Sequence, residues 1–174
     1  MHEFTDLIER CTSFTLSVLN RANDEIVEAL QDSAETTLIK NLQMIQLQKA
    51  IMAVGMFSIF DSILQENLGG NGFVEASKVL KDHGEHAVDE RFSDFQKAIN
   101  VLKHGRGRSY DELVKKASEL PFKVKLPDEA FFFEGDVSEV STLIQVDDQF
   151  ILDCAAAIQT VSSAIRKVKP EFLD

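Results

Sequence analysis

At 174 residues and 44% hydrophobic content the chain can bury a sizeable core, which excludes a disordered polymer. A formal net charge of -11 argues against coating DNA or an anionic membrane through bulk electrostatics. Only three prolines and eight glycines interrupt the chain, so most of it is free to run as helix.

A first helix is expected from about Thr5 to Leu30, where Leu7, Ile8, Cys11, Phe14, Val18 and Leu19 recur at helical spacing and mark a core face. Asp32 and Ser33 offer capping oxygens before a second helix from about Ala34 to Leu68, closed by Gly-Gly-Asn-Gly at 69–72. Residues 50–60, AIMAVGMFSIF, are apolar on every face, so neighbours are expected to surround this spine. That run is about half of the roughly 20 residues a membrane-spanning helix needs, and no membrane role is expected.

A shorter helix, Phe73 to about Asp82, should end at His83-Gly84, with a fourth beginning near Glu85. On it Val88, Phe92, Phe95, Ile99 and Leu102 fall at steps of four and three and form one core stripe. Gly105 supplies the left-handed residue that stops such a helix. Ser109 with Glu112 has the spacing of a capping box and starts another helix through about Ser118.

Between Pro121 and Val146 the helical period fails, and two prolines flank a path toward the triple phenylalanine 131–133. An irregular arm with at most a short strand pair is expected there, packed down by Phe131, Phe132 and Phe133. Helix returns at Asp147, with Ile151, Cys154, Ala155, Ile158, Val161 and Ile165 as its apolar stripe up to about Val168. The expectation is an all-α bundle of about five to six helices, one domain over residues 1–174, with an irregular arm at 121–146.

Charge is uneven along the chain. From Lys97 to Lys125 eight Lys and Arg stand against three Asp and Glu, a local +5 on an acidic body. Such a segment suits a focused anion site or a contact with an acidic surface of a second copy, so a homodimer is expected. Cys11 and Cys154 lie far apart in apolar helical patterns and read as free thiols of a reducing compartment. The opening MHEFTDLIER is acidic and amphipathic, which gives the expectation of no signal peptide and a cytoplasmic location.

The densest polar group is Asn100, Lys103 and His104, with Arg106 and Arg108 just beyond in the sequence KHGRGR. Asn100 and His104 are one turn apart on one helix face, and the glycines allow an anion close to backbone amides. The same residues also suit a basic helix terminus that complements the macrodipole. Asp61 sits in GMFSIFDSIL on an otherwise apolar face, where a carboxylate needs a partner unless the helix is emerging into solvent there. His83 and His86 are separated by a helix-breaking Gly84 and have no third ligand nearby, so no metal and no cofactor are assigned. Phosphate-loop, nucleophile-elbow and dinucleotide fingerprints do not occur.

INVLKHG at 99–105, together with FSIFDSIL at 57–64, resembles the HEPN superfamily of small helical domains. In that family a late helix carries arginine, a polar residue often asparagine, three variable residues, then histidine and frequently glycine. Asn100, His104 and Gly105 match the polar residue, the histidine and the glycine, Asp61 resembles the acid of the earlier long helix, and Ile99 occupies the arginine position. The likeness covers about Ala50 to Leu120.

The resemblance implies a bundle that pairs with a second copy so that two motifs face each other across a cleft. Many members are metal-independent ribonucleases of toxin–antitoxin, abortive-infection or other defence systems, and others are non-catalytic. It implies His104, Asn100 and Asp61 as the catalytic set, with Lys103, Arg106 and Arg108 binding the ligand. In active members arginine stabilises phosphate charge while histidine assists proton transfer at the ribose hydroxyl. Ile99 does neither and completes the core stripe, leaving Arg106 or Arg108 to reach a phosphate from the loop. Two functions stay open: RNA or nucleotide binding with weak or absent ribonuclease activity, and a non-catalytic module that binds another protein.

Overall fold

A computed structural model describes residues 4–33 and 35–172. Its six helices, in chain order, are α1 (Phe4–Asp32), α2 (Thr36–Leu68), α3 (Gly72–Asp82), α4 (His86–His104), α5 (Arg108–Lys115) and α6 (Asp148–Val168). The all-α bundle read from the sequence is the architecture observed. α6 runs through its middle and touches α1, α2, α3 and α4, whereas α1 touches only α2 and α6 among the helices.

α1 and α2 pack antiparallel. The Phe4 ring stacks on Phe60 with centroids 6.2 Å apart, and the Thr12 hydroxyl lies 3.5 Å from Met56 Sδ. The core face expected on α1 is turned: Ile8, Thr12 and Leu16 are buried, while Leu7, Cys11, Phe14 and Val18 are exposed. With neighbours on two sides only, α1 buries a narrow strip, and its more apolar strip is left in solvent.

α2 is likewise not surrounded. Ala53, Met56, Phe57, Phe60 and Leu64 are buried, but Ile51 and Ile59 are each 55% exposed. The expected start at Ala34 lies outside the described residues; Asp32 still belongs to α1, and Glu35 caps α2 without a side-chain hydrogen bond. By length and hydropathy α2 is sufficient to cross a membrane, because apolar residues continue on both sides of 50–60. Its inward face nevertheless holds Lys49, whose ammonium meets Asp148 at 2.7 Å beside Asn20, tying α1, α2 and α6 together.

Gly69 and Gly70 turn the chain at positive φ, and Asn71 caps α3 by accepting from the Val74 amide at 3.2 Å. On α4 the stripe is as expected: Phe92, Phe95 and Ile99 are buried, with Val88 and Leu102 partly so. Phe92 meets Phe57, Phe60 and Phe73 in one aromatic cluster. α6 is capped by Asp147, which accepts from the Phe150 amide at 2.8 Å, and buries the whole expected stripe.

The arm is irregular, with one antiparallel bridge between Val124 and Ile144. Its anchors differ from expectation, since Phe131 and Phe133 are about half exposed. Phe122, Val124, Ile144 and Val146 enter the core instead. A polar knot holds the rest: Glu139 accepts from the Phe132 and Phe133 amides at 3.0 and 2.7 Å and pairs with Lys125 at 3.3 Å. On this bent backbone the stretch satisfies its amides through Glu139 and leaves the Phe131 and Phe133 rings half outside.

Candidate functional site

α4 ends at Lys103 and His104, where Gly105 takes φ 73° and donates its amide to the Val101 carbonyl at 2.8 Å. Asn100, His104, Gly105, Arg106, Gly107, Arg108 and Ser109 line an open hollow of about 320 Å³. The structure therefore brings Asn100, His104 and the two loop arginines to one place. Lys103 and His104 are exposed and make no hydrogen bond or ion pair among the described residues.

The capping box expected at Ser109 does not form. Gly107 caps α5 with no side-chain acceptor, so the amides of its first turn remain available to an anion. Glu112 turns outward instead and pairs with Arg108 at 2.8 Å and Lys97 at 3.0 Å. α5 also stops at Lys115, short of the expected Ser118.

Arg106 reaches across to the arm. Its guanidinium lies 5.6 Å from the Tyr110 ring centroid, with one nitrogen 3.4 Å from the Pro127 carbonyl. Tyr110 is buried and donates its hydroxyl to the Lys125 carbonyl at 2.7 Å, so the platform beneath Arg106 is rigid. No local pattern marks Tyr110 and Pro127 as supports, because both act through a fold-dependent approach of the arm to α5.

The local positive charge is smaller than the residue count suggests. Lys116 binds Asp94 at 2.6 Å, Lys125 binds Glu139, and Lys97 shares Glu112 with Arg108. Of the basic groups at the loop, His104 and Arg106 line the hollow without an acidic partner among the described residues, and Lys103 is exposed beside them. Ile99 is only 4% exposed and belongs to the core, so an arginine side chain at that position would start from inside the bundle.

Asp61 stands elsewhere. Its Oδ2 accepts from Gln65 at 3.0 Å, and its Oδ1 is closed over by the start of α3. A Cβ on Gly72 would lie 2.6 Å from the Asp61 carbonyl oxygen and 2.8 Å from Oδ1. α2 meets α4 at this level through Phe57, Phe60 and Phe92, and His104 lies twelve residues beyond Phe92, roughly 18 Å along the helix. Asp61 is thus no partner of Asn100 or His104 within one chain. One oxygen of its carboxylate is served by a glutamine one turn along its own helix, and the buried Oδ1 has no hydrogen-bond partner among the described residues.

His83 hydrogen-bonds the Val79 carbonyl at 2.9 Å, and His86 is exposed at the start of α4. Among the described residues no group of three or more His, Cys, Asp and Glu side chains converges as a metal site. No family model matches the chain, and neither curated proteins nor solved structures give a match.

Proposed function

We propose that the loop between α4 and α5 binds the phosphate of an RNA end or a nucleotide. The observation that carries this reading is the hollow in which Asn100, His104, Arg106 and Arg108 meet the uncapped start of α5. Arginine forks match phosphate oxygens, helix amides add donors, and the exposed Lys103 adds a cation next to the lining His104. The HEPN resemblance points the same way. Hydrolysis would be weak or absent in this reading, because Ile99 is committed to the core and Asp61 is remote from His104. Free Cys11 and Cys154 fit a reducing, cytoplasmic setting.

A non-catalytic module for binding another protein is the second reading. It is favoured by the pairing of Arg108 and Lys97 with Glu112, which withdraws two cations from a ligand.

Fluorescence anisotropy at low salt with labelled nucleotides and short RNAs tests the first reading. The Arg106→Ala/Arg108→Ala variant should bind at least about tenfold more weakly than wild type, the loss expected for removing charge-assisted hydrogen bonds. Equal binding by the two proteins, or binding by neither, makes the loop a basic helix connection and moves the function to the second reading.

A further inference from the structure

The outward faces of α1 and α2 carry an apolar surface that the bundle does not use. On α1, Leu7, Cys11, Phe14 and Val18 follow Phe4 at steps of three and four, and Phe4 itself leans on Phe60 of α2. Glu9, which bonds Gln159 of α6 at 3.0 Å, marks the other flank of α1. On α2 the exposed row is Met44, Leu47, Ile51 and Ile59, with the half-buried Gly55 between the last two, and Ile59 lies one turn from Met56, the residue that meets Thr12. The two rows therefore border the same α1–α2 seam.

Charge is missing from this surface. α1 has no charged residue between Arg10 and Arg21, and α2 has one between Lys40 and Asp61, namely Lys49, which turns inward to Asp148. In a chain that is 27% charged, two adjacent blocks of this kind have the composition of an interface core rather than of a solvated face. Phe14 is 72% exposed and the other large side chains about half, so the surface offers roughly 700 Å² of apolar side chain against the about 800 Å² per partner of a standard stable interface. An antiparallel helix pair with such a face completes itself by packing on its own copy as a four-helix bundle.

We infer that this face is the self-association surface of the chain and that its occupant is a second copy. Thr12 meets Met56, so Phe14 and Gly55 stand within about a turn of the same level. A two-fold axis along the helices lays α1 of one copy over α2 of the other and seats Phe14 in the notch at Gly55. Nothing lies within 4 Å of the position a Cβ would take on Gly55, so the notch is open in one chain. Knob-into-hole packing of this kind fixes register. None of the residues lining the KHGRGR hollow lies on α1 or α2, so neither loop contributes a residue to such an interface. Each is then a complete site, unlike the facing motifs that the HEPN resemblance implies.

Light scattering across a concentration series tests this with three proteins. Wild type should reach twice the mass of the chain, and Gly55→Leu and Phe14→Glu/Ile51→Glu should both stay at one. Gly55→Leu keeps the face apolar and removes a helix-weakening glycine, so its circular dichroism and melting should remain those of a folded chain. Cys11 lies on this face and Cys154 is buried, so maleimide reports on Cys11 alone, and its rate in wild type should fall as concentration rises. A wild type that stays monomeric, a dimer that survives either variant, a Cys11 rate independent of concentration, or capture of wild type by phosphatidylcholine vesicles overturns the inference.

Discussion

Arg108 donates from Nε to Glu112 Oε1 at 2.8 Å, while Lys97 reaches the other oxygen of the same carboxylate at 3.0 Å from α4. The hydrogen bond from Arg108, then that from Lys97, lowers the Glu112 pKa from 4.5 to about 2. A carboxylate with a depressed folded pKa contributes stability that is present above its unfolded value and is lost as pH falls through the folded one. Here that window runs from about 4.5 down to about 2. At neutral pH the pair holds Arg108 along α5. Glu112→Gln should release both cations, strengthen nucleotide binding several-fold at low salt and steepen its salt dependence. Weaker or unchanged binding in this variant would count against a phosphate site at the loop.

Lys125 and Glu139 form an ion pair whose side chains are 9% and 10% exposed. Glu139→Ala leaves that buried ammonium with the Ala130 carbonyl at 3.1 Å and the Phe132 ring but no counter-charge, and frees the Phe132 and Phe133 amides, so urea unfolding should show a loss of about 3 kcal/mol. A loss below about 1 kcal/mol would mean that the arm contributes little to the cooperative fold.

An arginine placed at position 99, where the HEPN motif that INVLKHG resembles carries one, should not create a nuclease. Ile99→Arg places a guanidinium at a position that is 4% exposed and belongs to the apolar core, and should cost at least about 3 kcal/mol. A thermal melt with an RNA-cleavage assay checks both halves. A variant that melts like wild type and cuts RNA would show that the helix can turn this position toward the hollow.

Gly72→Ala should destabilise by about 1–3 kcal/mol, because its Cβ would meet a backbone oxygen of Asp61 at 2.6 Å. His104→Ala, at an exposed position with no partner among the described residues, should stay within about 0.5 kcal/mol of wild type. Chemical denaturation of the two variants side by side distinguishes close backbone packing at the α2–α3 junction from a surface role at the end of α4.

The parts of the fold legible in the sequence are those where one helix face is apolar and its opposite is polar. α4 with Phe92, Phe95 and Ile99, its stop at Gly105, and α6 with Ile151 to Ile165 are of this kind. α1 misleads because its most apolar stripe, Leu7 to Val18, faces away from the core, and hydrophobicity marks any surface destined to leave water. The capping-box spacing of Ser109 and Glu112 was also outcompeted, since two cations offered that carboxylate more than one backbone amide could. At the site, Asn100 and His104 were legible as neighbours because one helical turn decides it. The place of Asp61 depends on how α2 and α4 cross, which no local pattern encodes.

The arm's polar knot also sets how this protein breathes. Lys125, Ala130, Phe132 and Phe133 all lie within 14 residues of Glu139, so closing these contacts costs little chain entropy and reopening them does not require the helices to separate. One carboxylate serves two amides and an ammonium, so its departure releases all three together and the arm opens as a unit. Amide hydrogens of Phe132 and Phe133 should then exchange with solvent on the arm's own clock, while those of Ile158 and Val161 in α6 should wait for the whole bundle to come apart.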